Sequence, residues 1–283
     1  MKTSLILEGG AMRGMFTCGV LDTLMEAGIR VDGIAGISAG AVFGCNFKSR
    51  QKGRALRYNM KYCRDPRYCS VRSWLRTGDL YGADFCYREL PDVLDPFDRE
   101  AFRSDPTEFW AGATDVETGI CVYHRCTDGG TEDMRWLQAS ASMPLVSRPV
   151  EADGRRLLDG GIADAVPYAW MEGLGYDRNV IILTQPRGYR KKPAHIGWLL
   201  RGMPAIRRAI AVRHEMYNRQ MEEIDARERG GDTLVLRPPE PLNIGHRERD
   251  PRELERVWRV GAAEAERRLP EIRDFLFPSG GGV

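Results

Sequence analysis

The stretch "VDGIAGISAGAVFGCNF", residues 31–47, decides how this chain is read. Its first seven residues, "VDGIAGI", are a short apolar run with the character of a strand, and "AVFGCNF" continues as a helix, so Ser38 falls at the junction. A serine set as Gly36-Ile37-Ser38-Ala39-Gly40 fits a nucleophile elbow, a strained strand-to-helix turn that holds the hydroxyl exposed. Glycine at 36 and 40 removes the Cβ atoms that would collide in so sharp a reversal. The helix that follows turns its positive end toward the serine and favours negative charge there. The plainer alternative is a glycine-rich helix start with Ser38 as its N-cap.

Outward from this point the chain alternates. "TSLILE" (3–8) reads as a buried strand and "GMFTCGVLDTLMEAG" (14–28) as a helix stopped by Gly28, so the order is β-α-β-α. That order predicts an α/β fold with a mostly parallel sheet covered by helices. Between 51 and 106 the pattern is irregular, with "FCYRELPDVLDPF" broken by Pro91 and Pro96, which predicts an insertion forming a wall or lid. "TEFWAGATDV" and "ICVYHR" flank the turn "ETG" as paired strands, an antiparallel edge to the sheet. "DMRWLQASASM" reads as a helix, "RRLLDGGI" as a strand entering a glycine turn and "NVIILTQP" as a central strand. Beyond Pro193 the chain is mostly helical apart from "TLVLRP" (233–238). With no repeat or linker, one domain over 1–283 is expected, its core at about 3–190 and its helical part at 193–275.

Composition narrows the function classes. A chain of 283 residues with 42% hydrophobic content can bury a full core, and a formal charge of +2 lends no support to a nucleic-acid partner. No run approaches the ~18–20 apolar residues of a membrane span, and "MKTSLILEGGAMRG" lacks the apolar region of a signal peptide. The seven cysteines form no Cys-x-x-Cys pair, and Cys63 and Cys69 are not spaced like zinc ligands, so reduced thiols and no metal are expected. These features together predict a soluble cytoplasmic protein, with peripheral contact to a membrane left open.

An acyl-transfer site needs donors for the oxyanion, and "EGGAMRG" (8–14) offers them, since Gly9 and Gly10 can present backbone N–H groups at close range. Adjacent parallel strands end at one edge, which would set this loop beside Ser38. The same loop admits a dinucleotide reading, but Ala11 replaces the central glycine of G-x-G-x-x-G and Asp32 precedes a strand instead of ending one. Of the histidines, His124, His195, His214 and His246, none sits in a glycine turn at a strand end. "LLDGGI" offers a base instead, because Asp159 ends a strand and Gly160-Gly161 let the backbone turn away at once. Burial raises a carboxyl pKa, and a direct Ser–Asp contact can then take the hydroxyl proton. An ordinary Asp-Gly turn is the alternative.

In order and spacing, "LEGGAMRG", "GISAG", "ASASMPLVSRPV", "LLDGGIADAVP" and "ILTQPRGYRKKP" resemble the patatin-like phospholipase family, specifically its bacterial intracellular members, over about 3–190. The resemblance implies a three-layer α/β/α sandwich and lipid acyl hydrolase activity without cofactor or metal. It implies a dyad of Ser38 and Asp159 and an oxyanion hole in Gly9, Gly10, Ala11, Met12, Arg13 and Gly14, with Arg13 at the family's usual basic position. Ala11 departs from the pattern, since a third glycine is common there; the hole survives unless that residue needs positive φ.

The segment 187–214 holds eight basic residues and no acidic one, interleaved with Tyr189, Trp198, Leu199, Leu200 and Met203. It could lie on an anionic lipid surface with Trp198 in the interface, or be a solvated helix face whose apolar stripe packs inward. The pocket lining is expected from 51–106 and 195–230. The function expected is a serine hydrolase cleaving the carboxylic ester of a lipid. Its rivals are a non-catalytic lipid-binding protein of the same fold and a nucleotide-binding protein. The sequence leaves oligomeric state open.

Overall fold

Apolar runs without polar alternation take the middle of the sheet, where both faces are covered. The computed structural model describes residues 1–194 and 197–278. Its central strand, β1 (Lys2–Leu7), is buried from Thr3 onward and pairs in parallel with β2 (Gly33–Ile37) and β7 (Tyr176–Ile182). β3 (Glu108–Asp115) lies parallel to β2, and β8 (Thr233–Leu236) parallel to β7. Successive side chains of β1 divide between two cores. Leu5 and Leu7 join the cluster under α1 (Gly14–Glu26), α2 (Ala39–Lys48) and α9 (Pro251–Leu276). Ile6 joins the cluster under α7 (Tyr168–Gly173) and α8 (Pro204–Gly230). The protein is thus an α/β/α sandwich around a mostly parallel sheet.

The antiparallel strands decide the site. β4 (Cys121–Cys126) forms a hairpin with β3, pairing from Phe109 to Thr114. β3 is longer than β2, and pairs with it only from Glu108 to Gly112. Beyond that level it pairs with β6 (Arg155–Asp159), which runs antiparallel and carries β5 (Val150–Ala152) outside it. Because β4 occupies one edge of β3, β2 and β6 share the other and approach head-on. β2 ends with Ile37 opposite Gly112, and β6 ends with Asp159 opposite Ala113.

The wall over this point comes from α3 (Arg54–Tyr62), α4 (Val71–Thr77) and a π-helix (Phe85–Leu94), while α5 (Arg99–Ser104) packs on α2. The π-helix corrects the expectation of a break at Pro91, which lies inside it. Proline lacks the N–H of an α-turn and crowds the carbonyl four residues back; the wider turn relieves that conflict, closing with Asp95 N–H donated to the Leu90 carbonyl. α6 (Thr131–Ser140) covers β3 and β5. Among the described residues no helix is long and apolar enough to cross a membrane.

Candidate active site

Ser38 occupies the turn between β2 and α2 with φ 55° and ψ −123°, a left-handed conformation that costs a non-glycine residue about 1–3 kcal/mol. Neighbouring groups hold it there. The Ser38 N–H donates to Ser140 Oγ at 2.8 Å, and that hydroxyl donates to the Gly112 carbonyl at 2.6 Å, tying the turn to β3 and α6. A Cβ at Gly40 would stand 2.4 Å from the Leu7 carbonyl, so glycine is what lets the turn close against β1.

Asp159 is 2% exposed at the end of β6. Burial raises its carboxyl above the usual carboxylate range; the Ser38 hydroxyl, Arg213, the Gly161 N–H and Lys191 pull the other way without cancelling it. The Gly161 N–H donates to Oδ1 at 2.8 Å, and the Asp159 N–H donates to the Ser142 carbonyl at 2.8 Å. Tyr87, on the π-helix, lines the same cavity as Ser38, and its phenol is raised chiefly by burial.

The glycine loop lies against the elbow: a Cβ on Gly9 would be 2.8 Å from Ser38 Cβ. Within the loop the amides divide. Those of Arg13 and Gly14 are spent on carbonyls of residues 10–12, which removes them from the expected oxyanion hole. Those of Gly9, Gly10, Ala11 and Met12 donate to no acceptor among the described residues, and neither does that of Ala39, which follows the serine. Ala11 has φ 48°, so the positive φ that counts against the hole on sequence grounds is present; the alanine takes it with strain where glycine would be relaxed, and its N–H still meets no acceptor among the described residues. Ala11→Gly is expected to keep turnover, because the N–H remains, and to change stability by less than about 1 kcal/mol, relief of strain being offset by a freer unfolded chain. Thermal unfolding and ester hydrolysis check both parts.

Beneath the loop, buried Glu8 accepts from Thr184 N–H at 2.5 Å and Tyr217 Oη at 2.8 Å, fixing the end of β1 to β7 and α8. Asp32, the residue a dinucleotide would need, accepts from Thr3 at the start of β1, at the opposite rim from the loop. A nucleotide spanning the two is excluded by that placement.

Three cations and a histidine complete the site. Lys191 Nζ lies 4.4 Å from the Tyr217 ring centroid and is lowered to about 8, first by burial and then by Arg213. Arg213 Nε donates to the Gly161 carbonyl at 2.5 Å. Arg13 reaches His246 Nε2 at 3.5 Å, and its buried Nε has no partner among the described residues. His246 is lowered by burial, then by Arg13, Lys191 and Arg213. Two members of the basic segment 187–214 therefore face the site, while Arg187 and Arg190 pair with Asp225, Glu228 and Glu222. His195 and the Trp198 side chain lie outside the described residues.

These charges set a pH dependence. A base must be ionised, so the rate should fall with acid as pH drops through the raised Asp159 pKa. Arg213 and Lys191 favour the ionised carboxyl, Arg213 more strongly. Arg213→Met is expected to move the acid limb of kcat/KM to higher pH, and Lys191→Met to move it less; profiles on a soluble ester would reveal the order.

A cavity of about 710 Å³ opens from Ser38, lined by Phe43, Tyr58, Tyr68, Tyr87, Leu90 and Leu145 among others. The insertion supplies its wall as expected. The expected second source, 195–230, contributes no lining residue among those described; the loop 141–147, His246 and Arg247 do so instead. Neither segment has a periodic apolar pattern; the motif "ASASMPLVSRPV" spans the 141–147 loop but says nothing of its place at the cavity. The other chemistry-bearing cluster, His124, Cys126 and Asp133, has ligand atoms within 4.8 Å of one another. The Asp133 carboxylate already accepts from His124 and from three backbone N–H groups, which fills its capacity as a loop cap.

Comparison with known proteins gives matches along most of the chain. The family model of the patatin-like phospholipases matches residues 5–169, and a model described only as a domain of unknown function matches 203–277. An uncharacterized NTE family protein of Mycobacterium tuberculosis is 28% identical over 181 residues, covering 64% of this chain and 48% of that protein. The uncharacterized protein YjjU of Escherichia coli is 31% identical over 191 residues, 65% of this chain and 52% of that protein. Lysophospholipase nte1 of Aspergillus niger is 28% identical over 181 residues, 62% of this chain and 11% of that protein. The chain thus spans about half the length of the two bacterial relatives and a small part of the fungal one.

Proposed function

The chain belongs to the patatin-like phospholipase family, and from that premise we propose that it is a serine lipid acyl hydrolase working through a Ser38–Asp159 dyad. One observation carries the reading: Ser38, in a strained turn, lines a largely apolar cavity, and its hydroxyl lies near enough to the buried Asp159 carboxyl to favour the ionised form that burial disfavours. Ser38 Oγ attacks the ester carbonyl carbon while Asp159 takes its proton. The amides of Gly9 to Met12 and of Ala39 hold the developing oxyanion. Asp159 returns the proton to the departing alcohol, leaving the acyl group on Ser38. Water, giving a proton to Asp159, attacks the acyl carbon, and Asp159 passes that proton to Ser38 Oγ as the acyl–Oγ bond breaks and the carboxylic acid leaves. The apolar cavity suits an acyl chain, and lysophospholipid is the substrate class named for the fungal relative.

Seven free cysteines, five of them buried, support a reducing, cytoplasmic compartment. Contact with an anionic membrane through 187–214 has four exposed cations in its favour, Lys192, Arg201, Arg207 and Arg208. That residues 1–283 form one folding unit is supported by β8 joining the same sheet and α9 packing on α1.

A fluorophosphonate probe and a p-nitrophenyl acyl ester test the reading together. Wild type should be labelled at Ser38 and should hydrolyse the ester; Ser38→Ala should do neither. Turnover that survives in Ser38→Ala would overturn the mechanism. Lipid binding with neither labelling nor turnover in wild type would favour the non-catalytic reading instead.

A further inference from the structure

α4 has its sidedness reversed. Its polar side chains are engaged locally: Ser73 Oγ donates to the Asp79 carbonyl at 2.8 Å and Thr77 Oγ1 to the Ser73 carbonyl at 2.9 Å. The apolar stripe faces out, since helical spacing puts Val71, Trp74 and Leu75 on one side, and they are 54%, 41% and 75% exposed. No residue of this helix is buried. Trp74 Nε1 donates to the Leu145 carbonyl at 2.9 Å, which attaches the helix to the loop carrying half-exposed Val146. Val71, Trp74 and Val146 also line the cavity, so the exposed patch and the cavity mouth are continuous.

The surrounding charge is mainly positive. Arg72 and Arg76 run beside the apolar stripe, Arg148 Nε lies against Gly78 at the helix end, and Arg247 lines the mouth. Arg67, also exposed, is tied to Asp65 and Glu89, whereas these four exposed arginines carry no ion pair among the described residues. Asp79, the acidic neighbour, accepts the Arg148 backbone N–H. An apolar stripe flanked by unpaired arginines matches an interface with acyl chains below and anionic headgroups above.

We infer that α4 and the 145–148 loop dock the protein on an anionic phospholipid surface, with the cavity mouth facing the leaflet. An acyl chain then passes from the bilayer into the cavity without crossing water. This deepens the hydrolase reading and rests on it for its substrate, but docking itself requires no turnover. It also sets the contact on a different surface from 187–214.

The test uses the full chain carrying Ser38→Ala, so that vesicles are not consumed. Flotation with phosphatidylcholine vesicles, with and without phosphatidylglycerol, should show binding only to the anionic vesicles, weakened by salt. Arg72→Ser with Arg76→Ser is expected to weaken it about 10- to 30-fold, and Leu75→Glu about tenfold, without change in thermal unfolding. In the active protein these variants should lose hydrolysis of vesicle lipid but keep that of a soluble ester, since none of the three residues lines the cavity. Arg201→Ser with Arg207→Ser and Arg208→Ser should retain binding. Loss in that variant with none in the α4 variants would overturn the docking face, as would equal binding to neutral vesicles. Self-association abolished by Leu75→Glu would instead make the face an interface between copies and sink the inference. Soluble-ester turnover is read separately, so failure of docking leaves the hydrolase reading standing, and docking without turnover does the reverse.

Discussion

Asp159→Asn is expected to lower kcat on a soluble ester by about 10²- to 10⁴-fold at neutral pH, the usual loss when a general base is removed. Asparagine keeps the acceptor for the Gly161 N–H, so the β6 turn should remain in place. It cannot take the Ser38 proton. The acid limb of the pH profile should disappear with it, because no carboxyl is left to ionise. Stability should move the other way. A carboxyl whose folded pKa lies above its unfolded value binds its proton more tightly in the folded state, and its contribution to stability is lost as pH rises through the folded pKa. Wherever the carboxyl is ionised, the wild type therefore holds a buried charge at a cost. Neutral asparagine removes that cost, so the variant should melt no lower than wild type at pH 7, and any advantage should shrink in acid. A variant that is slow and unstable together would point to a structural role for Asp159.

The second large effect concerns the crossing of α1 and α9. A Cβ on Gly19 would sit 2.0 Å from the Trp258 carbonyl oxygen, and one on Gly261 2.0 Å from that of Phe16. Both clashes are with backbone, which cannot rotate away, so the helices must separate and give up packing along their length. Gly19→Ala or Gly261→Ala is expected to cost about 3 kcal/mol, the upper part of the range for overpacking. In a chain of this size that lowers Tm by about 6–12 °C. Gly173→Ala, with nothing within 4 Å of its notional Cβ, serves as the control and should be near neutral. Calorimetry reads a further consequence. If residues 1–283 form one unit, Gly261→Ala shifts a single transition; two separable transitions would divide the chain near residue 203.

The strand-to-helix turn at Ser38 was legible in the sequence because a turn of this kind is built from near neighbours. Glycines flanking Ser38, an apolar run before it and a helix after it are local facts, and the φ of 55° follows from their junction. Pro91 shows the limit of such reasoning: a proline predicts that an α-turn fails, but the packing around it decides whether the chain breaks or widens into a π-turn. Arg13 and Gly14 show another limit. Their residue types suit an oxyanion loop, yet the 3₁₀ turn over Ala11–Arg13 spends their amides internally.

By itself the sequence determined the alternation of strands and helices, the parallel centre of the sheet and the candidate groups Ser38, Asp159 and the glycine loop. These depend on side-chain period and short-range sterics, which a linear pattern records. Only the tertiary structure decided that β6 meets β2 head-on along one edge of β3, because register between distant strands leaves no mark in either segment. It also decided that Arg213, Lys191 and His246 converge on the site, and that the 141–147 loop closes the cavity. Convergence is a property of the folded chain, fixed by which surfaces can be buried together, and no spacing along 283 residues encodes it.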